Sequence, residues 1–145
     1  MSITAPKDLK RDPVLWIGLM LFAFHAFLAL RFYMERTATA DSAFFSFLLL
    51  DGGKPVEALG RYGSYLAQLL PLALIHVRAP LALVLKSYSL SFVLLDVAVF
   101  LLIALRLKDR EAAIALPLVK TVAFHYTFYY GISELNQGLT LMVLA

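Results

Sequence analysis

Long uninterrupted apolar runs constrain the fold of this chain more than any other feature of its sequence. One run extends from Pro13 to Leu30 and another from Leu81 to Leu107, and neither alternates between apolar and polar residues. Continuous apolar runs of this length predict helices rather than strands. About 20 helical residues rise about 30 Å, which matches the hydrocarbon core of a bilayer. We therefore predict an all-α protein that crosses a membrane several times.

The overall composition agrees with a protein surrounded by lipid. Of the 145 residues, 61% are hydrophobic and 16% are charged, whereas soluble domains carry about 25% charged residues. A soluble domain of this size exposes too much of its surface to hide so many apolar side chains. The chain has no cysteine, which excludes a disulfide framework and a thiolate metal site.

Two clusters of basic residues predict how the chain is oriented. They flank the two apolar runs, with Lys7, Lys10 and Arg11 before the first and Arg106, Lys108 and Arg110 after the second. Because Lys and Arg are enriched on the cytoplasmic side of membrane spans, both clusters are expected in the cytoplasm. A first helix over Pro13 to Met34 then leads outward, and a helix over Leu81 to Leu107 leads back. The first helix is too long for the apolar part of a signal peptide, so we expect it to be retained.

The segment between these two helices is expected to begin and end on the outer side. Its stretch from Tyr65 to Val77 is apolar but only about 13 residues long, which suits an interfacial or re-entrant helix better than a full span. Before it, residues 41–50 predict a short helix on the outer face, opened by a capping sequence at Thr39. Asp51-Gly52-Gly53 follows as a turn.

The remainder of the chain predicts one further span and the beginning of another. The apolar stretch from Ala112 to Tyr130 leads outward again, residues 131–137 form a surface loop, and Gly138 to Ala145 begin a new helix. A helix that stopped there would leave backbone carbonyls unsatisfied within the hydrocarbon. We therefore expect residues 1–145 to be one transmembrane region, with about three full spans. This region would be the N-terminal part of a larger membrane protein that has further C-terminal helices.

Asp96 and Lys120 are charged residues that lie inside predicted spans. Counting about 1.5 Å per helical residue places both about 18 Å from the outer surface. Charges at such a depth are costly and are usually paired or functional. We expect an intramembrane ion pair that fixes how the two helices dock. A proton or ion pathway and a pairing with helices beyond this sequence are the alternatives.

Acidic residues also gather on the predicted outer face, where Asp41 is followed at once by Phe44 and Phe45. The aromatic residues would hold this carboxylate at the membrane surface, and Glu134 is expected to emerge at the same level. A carboxylate at the lipid interface can act as a general base or bind a divalent ion. An arginine such as Arg61 can bind a phosphate headgroup through two hydrogen bonds. An acid and an arginine at this interface suit a substrate that is a lipid phosphate.

The order of these elements resembles the N-terminal part of membrane glycosyltransferases of the GT-C superfamily, which includes protein mannosyltransferase-like and aminoarabinose transferase-like enzymes. In that family, a first span leads to a large outer loop that opens with an acid followed by aromatic residues. Asp41-Ser42-Ala43-Phe44-Phe45 stands in that place. The family often has Asp-Glu-Ala and two tyrosines there, so Ser42 and both phenylalanines differ from it. The turn, the short apolar helix, the basic cluster and Glu134 follow in the family's order.

The resemblance implies that the parent protein transfers a sugar from a polyprenyl-phosphate donor on the outer face of a cell membrane, which we expect to be a bacterial inner membrane. It implies that Asp41 is a catalytic base or metal-linked acid, that Glu134 is a second catalytic acid, and that Arg61 contacts the phosphate. No cofactor is assigned, although this chemistry could use a divalent cation. No nucleic-acid partner is expected.

Two other functions are open at this point. A small non-enzymatic membrane subunit or assembly factor would use Asp96 and Lys120 for docking and would give Asp41 no special role. A piece of a transporter would place its binding site near the middle of the membrane, where Asp96 and Lys120 would matter most.

Overall fold

The structure, a computed structural model, describes residues 12–57, 64–122 and 134–144. These residues fold into helices, with no strand in the three described ranges, so the predicted all-α class is confirmed. The helices are α1 (Pro13–Arg31), α2 (Tyr33–Thr37), α3 (Ala40–Gly52), α4 (Tyr65–His76), α5 (Leu81–Leu101), α6 (Arg110–Val122) and α7 (Glu134–Leu144). A π-helical segment, Leu102–Leu107, continues α5 without a break.

Among the described residues, two helices are long and apolar enough to cross a membrane, judged by length and composition alone. They are α1, with 19 residues, and the continuous helix Leu81–Leu107, with 27 residues. Helix α4 has 12 residues and contains Pro71, and such a helix rises only about 18 Å. The third predicted span is described only as far as Val122. The number of spans therefore stays a prediction.

Helix α1 begins where the sequence predicts but ends earlier. Pro13 occupies its first position, and the Asp12 carboxylate caps it by accepting a hydrogen bond from the Val14 amide at 3.1 Å. At Phe32 the backbone leaves the helical region, with φ −112° and ψ 35°, so a single helix as far as Met34 is wrong. The chain instead turns into α2, whose contacts with α5 are tertiary and are not encoded in local helix propensity.

Helices α1 and α5 pack against each other in antiparallel directions. Near the start of α1, Gly18 lies under the ring of Phe100, and a Cβ built on Gly18 would come within 2.3 Å of the ring's Cζ atom. Near the end of α1, the Ser89 hydroxyl donates to the backbone oxygen of Ala29 at 2.8 Å. A glycine under a bulky ring and a serine bonded across helices are both typical of helix packing in membranes.

Helix α4 packs on another face of α5 and holds the connection from α3. A buried apolar cluster joins these elements and consists of Leu49, Val56, Ala67, Leu72, Tyr88 and Phe92. Beside it, the fully buried Gln68 amide accepts from the Val56 backbone N–H at 2.6 Å and donates to the Val56 carbonyl at 3.2 Å. The side chain thus satisfies both backbone groups of a buried residue that lies outside any helix.

The starts of α1 and α6 lie at the same end of the molecule. The Arg110 guanidinium forms an ion pair with the Asp12 carboxylate at 2.9 Å. Asp109 caps α6 by accepting from the Ala112 amide at 3.0 Å. Asp12 directly follows the first basic cluster in sequence and Arg110 belongs to the second, so this contact brings the starts of α1 and α6 together. Which side of a membrane this end faces stays a prediction.

Helix α7 begins at Glu134, so the surface loop predicted over residues 131–137 is wrong from Glu134 onward. The predicted start at Gly138 followed the beginning of the apolar stretch, and Gly138 itself lies inside the helix. A glycine inside a helix costs only about 1 kcal/mol relative to alanine and does not by itself end the helix. Thr140 further along α7 is fully buried against α5, and this packing favours the helical conformation.

Candidate functional site

The outer face of α1 is unlike that of a helix on a soluble domain, and polar side chains are buried in the interior together with apolar ones. The exposed face of α1 is apolar and includes Trp16, Ile17, Met20, Phe24, Phe27 and Leu30. Many polar side chains are buried instead, among them Arg36, Ser42, Ser46, Gln68, Ser87, Ser89, Ser91, Asp96, Lys120 and Thr140. Large exposed apolar side chains on a long helix, with polar side chains buried between helices, are what lipid as the surrounding solvent favours.

Asp96 and Lys120, the predicted intramembrane pair, come together in the structure. The Lys120 ammonium lies 3.1 Å from the Asp96 carboxylate, joining α6 to α5. The Thr140 hydroxyl of α7 donates to the same carboxylate oxygen at 2.6 Å. The side chains of Lys120 and Thr140 are buried, as is that of Asp96. One carboxylate therefore ties together three helices by charge-assisted hydrogen bonds.

A second buried cation, Arg36 of α2, interacts electrostatically with this pair. Its guanidinium donates to the backbone oxygen of Ser89 at 3.3 Å, and the residue is only 3% exposed. Burial lowers the pKa of Arg36 to about 10, and the Asp96 carboxylate acts in the opposite direction. A pKa of about 10 leaves the guanidinium charged at neutral pH. The interior of the molecule thus holds three ionisable side chains, of which Asp96 and Lys120 form an ion pair and Arg36 bonds to Ser89.

Asp41, the predicted catalytic acid, lies in the first turn of α3 and is exposed. Phe44 and Phe47 on the same helix are also exposed, at 59% and 63%. Thr39 is the N-cap residue, as predicted, but its hydroxyl donates to the backbone oxygen of Glu35 and does not cap α3. Asp41 therefore sits beside exposed aromatic rings at the end of α1 that is opposite to Asp12.

The other two predicted members of the catalytic site cannot be placed around Asp41. Arg61 lies outside the described residues. Glu134 is the first residue of α7, and its side chain lies outside the described part of the chain. The predicted meeting of Asp41, Glu134 and Arg61 therefore stays a prediction. Among the described residues, no group of three or more histidine, aspartate or glutamate side chains could hold a metal ion.

Sequence reasoning missed the roles of Arg36 and Thr140. Arg36 follows the aromatic residues at the end of the first span, a position where a charged side chain is normally assigned to solvent. Thr140 lies in an apolar stretch in which one hydroxyl is unremarkable. A usable signal was the length of the Arg36 side chain, since an arginine close to a span end can reach back along its neighbours.

Comparison with known proteins adds no family to this description. No protein-family model matches the chain, and no curated protein or solved structure matches it either.

Proposed function

We propose that this chain is a multi-pass membrane region whose N-terminus faces the cytoplasm. The observation that carries the proposal is the exposed apolar face of α1, because lipid favours an apolar surface of this extent and water does not. The antiparallel packing of α1 and α5 supports two oppositely directed spans, with α2, α3 and α4 connecting them at the outer end. Helix α6 would begin the third span, because its Lys120 is neutralised by Asp96.

We further propose that Asp41 is the catalytic base of a glycosyltransferase acting on the outer membrane surface. The support is its exposure on a short helix on which Phe44 and Phe47 are also exposed, which would fix the carboxylate at the lipid interface. In this reaction Asp41 takes the proton of an acceptor hydroxyl. The acceptor oxygen then bonds to the anomeric carbon, and the bond between that carbon and the phosphate oxygen breaks. The polyprenyl phosphate leaves with its electron pair, and Arg61 would offset its charge.

Replacement of Asp41 by asparagine tests the catalytic assignment. The neutral amide cannot accept the proton, so Asp41→Asn should lower sugar transfer about 100-fold or more in membranes that contain the full-length protein. The matched control is Asp51→Asn, which neutralises an exposed carboxylate near the other end of the same helix. If Asp41→Asn inserts normally and transfers sugar at the wild-type rate, the catalytic assignment is wrong.

A non-enzymatic docking function is the second candidate, and the three-helix contact at Asp96 favours it. In that function the Asp96 cluster matters for assembly, whereas Asp41 is dispensable. Asp96→Asn should then reduce recovery of the intact complex from membranes, while Asp41→Asn has no effect. A transporter would lose substrate uptake on the same Asp96 substitution even where the protein assembles normally.

A further inference from the structure

The long helix from Leu81 to Leu107 carries its charged residues at three levels, Lys86, Asp96 and Arg106. Lys86 and Arg106 are exposed, whereas Asp96 is buried. The two exposed cations are about 20 residues apart, which is about 30 Å along a helix and matches the hydrocarbon thickness of a bilayer. Because charges are costly within lipid and are tolerated at its edges, Lys86 and Arg106 mark the two edges of a hydrocarbon layer.

Helix α1 marks the same layer independently. No Asp, Glu, Lys or Arg occurs between Asp12 and Arg31. The contacts of Gly18 and Ala29 with α5 fix the antiparallel register, and they are equally far apart on the two helices. This register carries the levels of Asp12 and Arg31 close to the levels of the two exposed cations on the long helix. Two helices therefore define one layer with the same two edges.

Helix α4 returns along the outer part of α5. Residues 77–80 join the two helices by a tight turn, so α4 and α5 are antiparallel. Ala67, near the start of α4, belongs to the same buried cluster as Phe92 of α5. Because α4 rises about 18 Å, its first turn lies near the level of Phe92, about 9 Å below Lys86. The start of α4 thus lies inside the hydrocarbon layer.

The exposed side chains of α4 change with depth in the way that this placement requires. In its deeper half, Leu66, Leu69 and Leu70 share one face and are 64%, 58% and 43% exposed. At its shallow end, the exposed residues include His76 and Arg78. Apolar side chains are exposed where acyl chains would lie, and polar ones are exposed where headgroups and water would lie. The leucine face of α4 therefore fits lipid.

Glu57 lies at the depth of the start of α4 but cannot face lipid. Its exposed carboxylate accepts a hydrogen bond from the hydroxyl of Tyr65, the first residue of α4, at 3.5 Å. A carboxylate against acyl chains would be costly. The chain is also non-helical from Gly53 to Glu57, and such backbone is tolerated at membrane depth only where it is buried in protein or lines a water-filled cavity. The exposed side of Glu57 therefore requires water.

We propose that α4 is a re-entrant helix that begins about 9 Å inside the outer leaflet, with its leucine face against acyl chains and Glu57 in a water-filled opening beside it. The proposal rests on the membrane location proposed above, but it does not depend on the catalytic role of Asp41. The chain between α3 and α4 then dips into the layer and returns to the outer surface at residues 77–80 without crossing. Water thereby reaches a carboxylate below the level of Lys86.

Spin labels on single cysteines measure this depth in the full chain, reconstituted into liposomes of phosphatidylethanolamine and phosphatidylglycerol. The accessibility of each nitroxide to oxygen, compared with a water-soluble nickel complex, should place a label at Leu66→Cys about 9 Å below the edge of the hydrocarbon. Phe27→Cys is the matched control, because that exposed residue of α1 lies at nearly the same level in the register. A Leu66→Cys label as accessible to the nickel complex as one at Val77→Cys would overturn the proposal.

Thiol labelling separates water from lipid at this one depth. A membrane-impermeant reagent applied to intact cells should label Glu57→Cys and leave Leu66→Cys unlabelled. Equal labelling of the two positions, or no labelling of Glu57→Cys even after permeabilisation, would overturn the proposal. Labelling of Glu57→Cys only after permeabilisation would support the water-filled opening and contradict the cytoplasmic N-terminus of the proposed function. Asp41→Asn should change neither measurement, so a failed catalytic assignment is distinguishable from a failed re-entrant helix.

Discussion

Asp96 and Lys120 each require the other, because an unpaired charge in an apolar interior costs several kcal/mol. Their 3.1 Å contact replaces the water that both groups would otherwise need. Thr140 contributes a further hydrogen bond to the carboxylate, so α7 is held at the same point. Because of this mutual dependence, the effects of substituting the two residues on the free energy of unfolding should not be additive. The effects of two independent residues would be additive.

Lys120→Met should lower the free energy of unfolding by about 3–5 kcal/mol, because it leaves the Asp96 carboxylate buried without its cation. The double variant Asp96→Leu with Lys120→Met should lie much closer to the wild type, since neither charge is then buried. Equilibrium unfolding in mixed detergent micelles provides the measurement. If the effects of Asp96→Leu alone and Lys120→Met alone simply add up to the effect of the double variant, the pair is not coupled in the folded protein.

Gly18→Ala should lower the free energy of unfolding by about 1–3 kcal/mol, because the added methyl group collides with the Phe100 ring. That ring cannot move aside easily, since it is fully buried and packs against Phe22 at 5.5 Å between ring centres. Addition of Phe100→Leu should recover part of the loss. The same unfolding assay serves as the measurement.

Gly138→Ala is the matched control for Gly18→Ala. It is the same substitution within a helix, but a Cβ added at Gly138 meets no atom within 4 Å. It should raise stability by about 0.5–1 kcal/mol through its higher helix propensity. If Gly18→Ala behaves in the same way as Gly138→Ala, α1 and α5 do not approach as closely as the structure places them.

The meeting of Asp96 and Lys120 was predictable from residue counts, because the rise of a helix is constant. The rotation of each helix about its axis was not predictable in this way. Whether Arg36 points to solvent or into the interior depends on the break at Phe32, and whether Thr140 meets Asp96 depends on how α7 docks. Both are tertiary contacts between residues far apart in sequence.

At the scale of elements, the position of α4 depends more on the hydrogen bonds of one polar side chain than on the length of the helix. The Gln68 amide supplies hydrogen bonds to the Val56 amide and carbonyl and to the Ser64 hydroxyl. These bonds therefore fix the connection from α3 to α4 both where it leaves α3 and where it enters α4. The element therefore depends on Gln68 more strongly than its apolar sequence would indicate.

Gln68→Leu should destabilise this connection selectively, because it leaves the buried Val56 amide and carbonyl without partners at about 1–3 kcal/mol for each group. Hydrogen exchange of the Val56 amide should become faster, while exchange in α1 should change little. Leu66→Ala is the control, since that side chain is 64% exposed and bonds to nothing in this cluster. An unchanged Val56 exchange rate in Gln68→Leu would contradict the assigned role.

Most helices begin near the positions that the sequence predicts, because proline, apolar runs and charged ends are local signals. Helix α4 and the long helix from Leu81 agree closely with their predicted ranges. The end of α1 and the start of α7 do not agree, and both α2 and α7 make tertiary contacts with α5 that local sequence signals do not encode. The π-helical segment at Leu102–Leu107 was not predicted, because no residue in its sequence indicates a widened helical turn.

At the scale of the whole molecule, the proposed function depends on which ends of the helices share a side of the membrane. The Arg110–Asp12 ion pair places the start of α6 beside the start of α1. The connection of α1 to α5 through three shorter helices places α3 and α4 near the opposite end. Only with this arrangement would Asp41 lie on the outer side of the membrane, as the proposed function requires.

Thiol labelling of single cysteines in intact cells tests this arrangement most directly, because the natural sequence contains no cysteine. Ala38→Cys, Val77→Cys and Leu107→Cys are suitable, since all three positions are exposed and none carries a charge. A membrane-impermeant reagent should label positions 38 and 77 from outside and position 107 only after permeabilisation. Labelling of position 107 from outside, with position 77 protected, would mean that α4 crosses the membrane and would contradict the proposed arrangement.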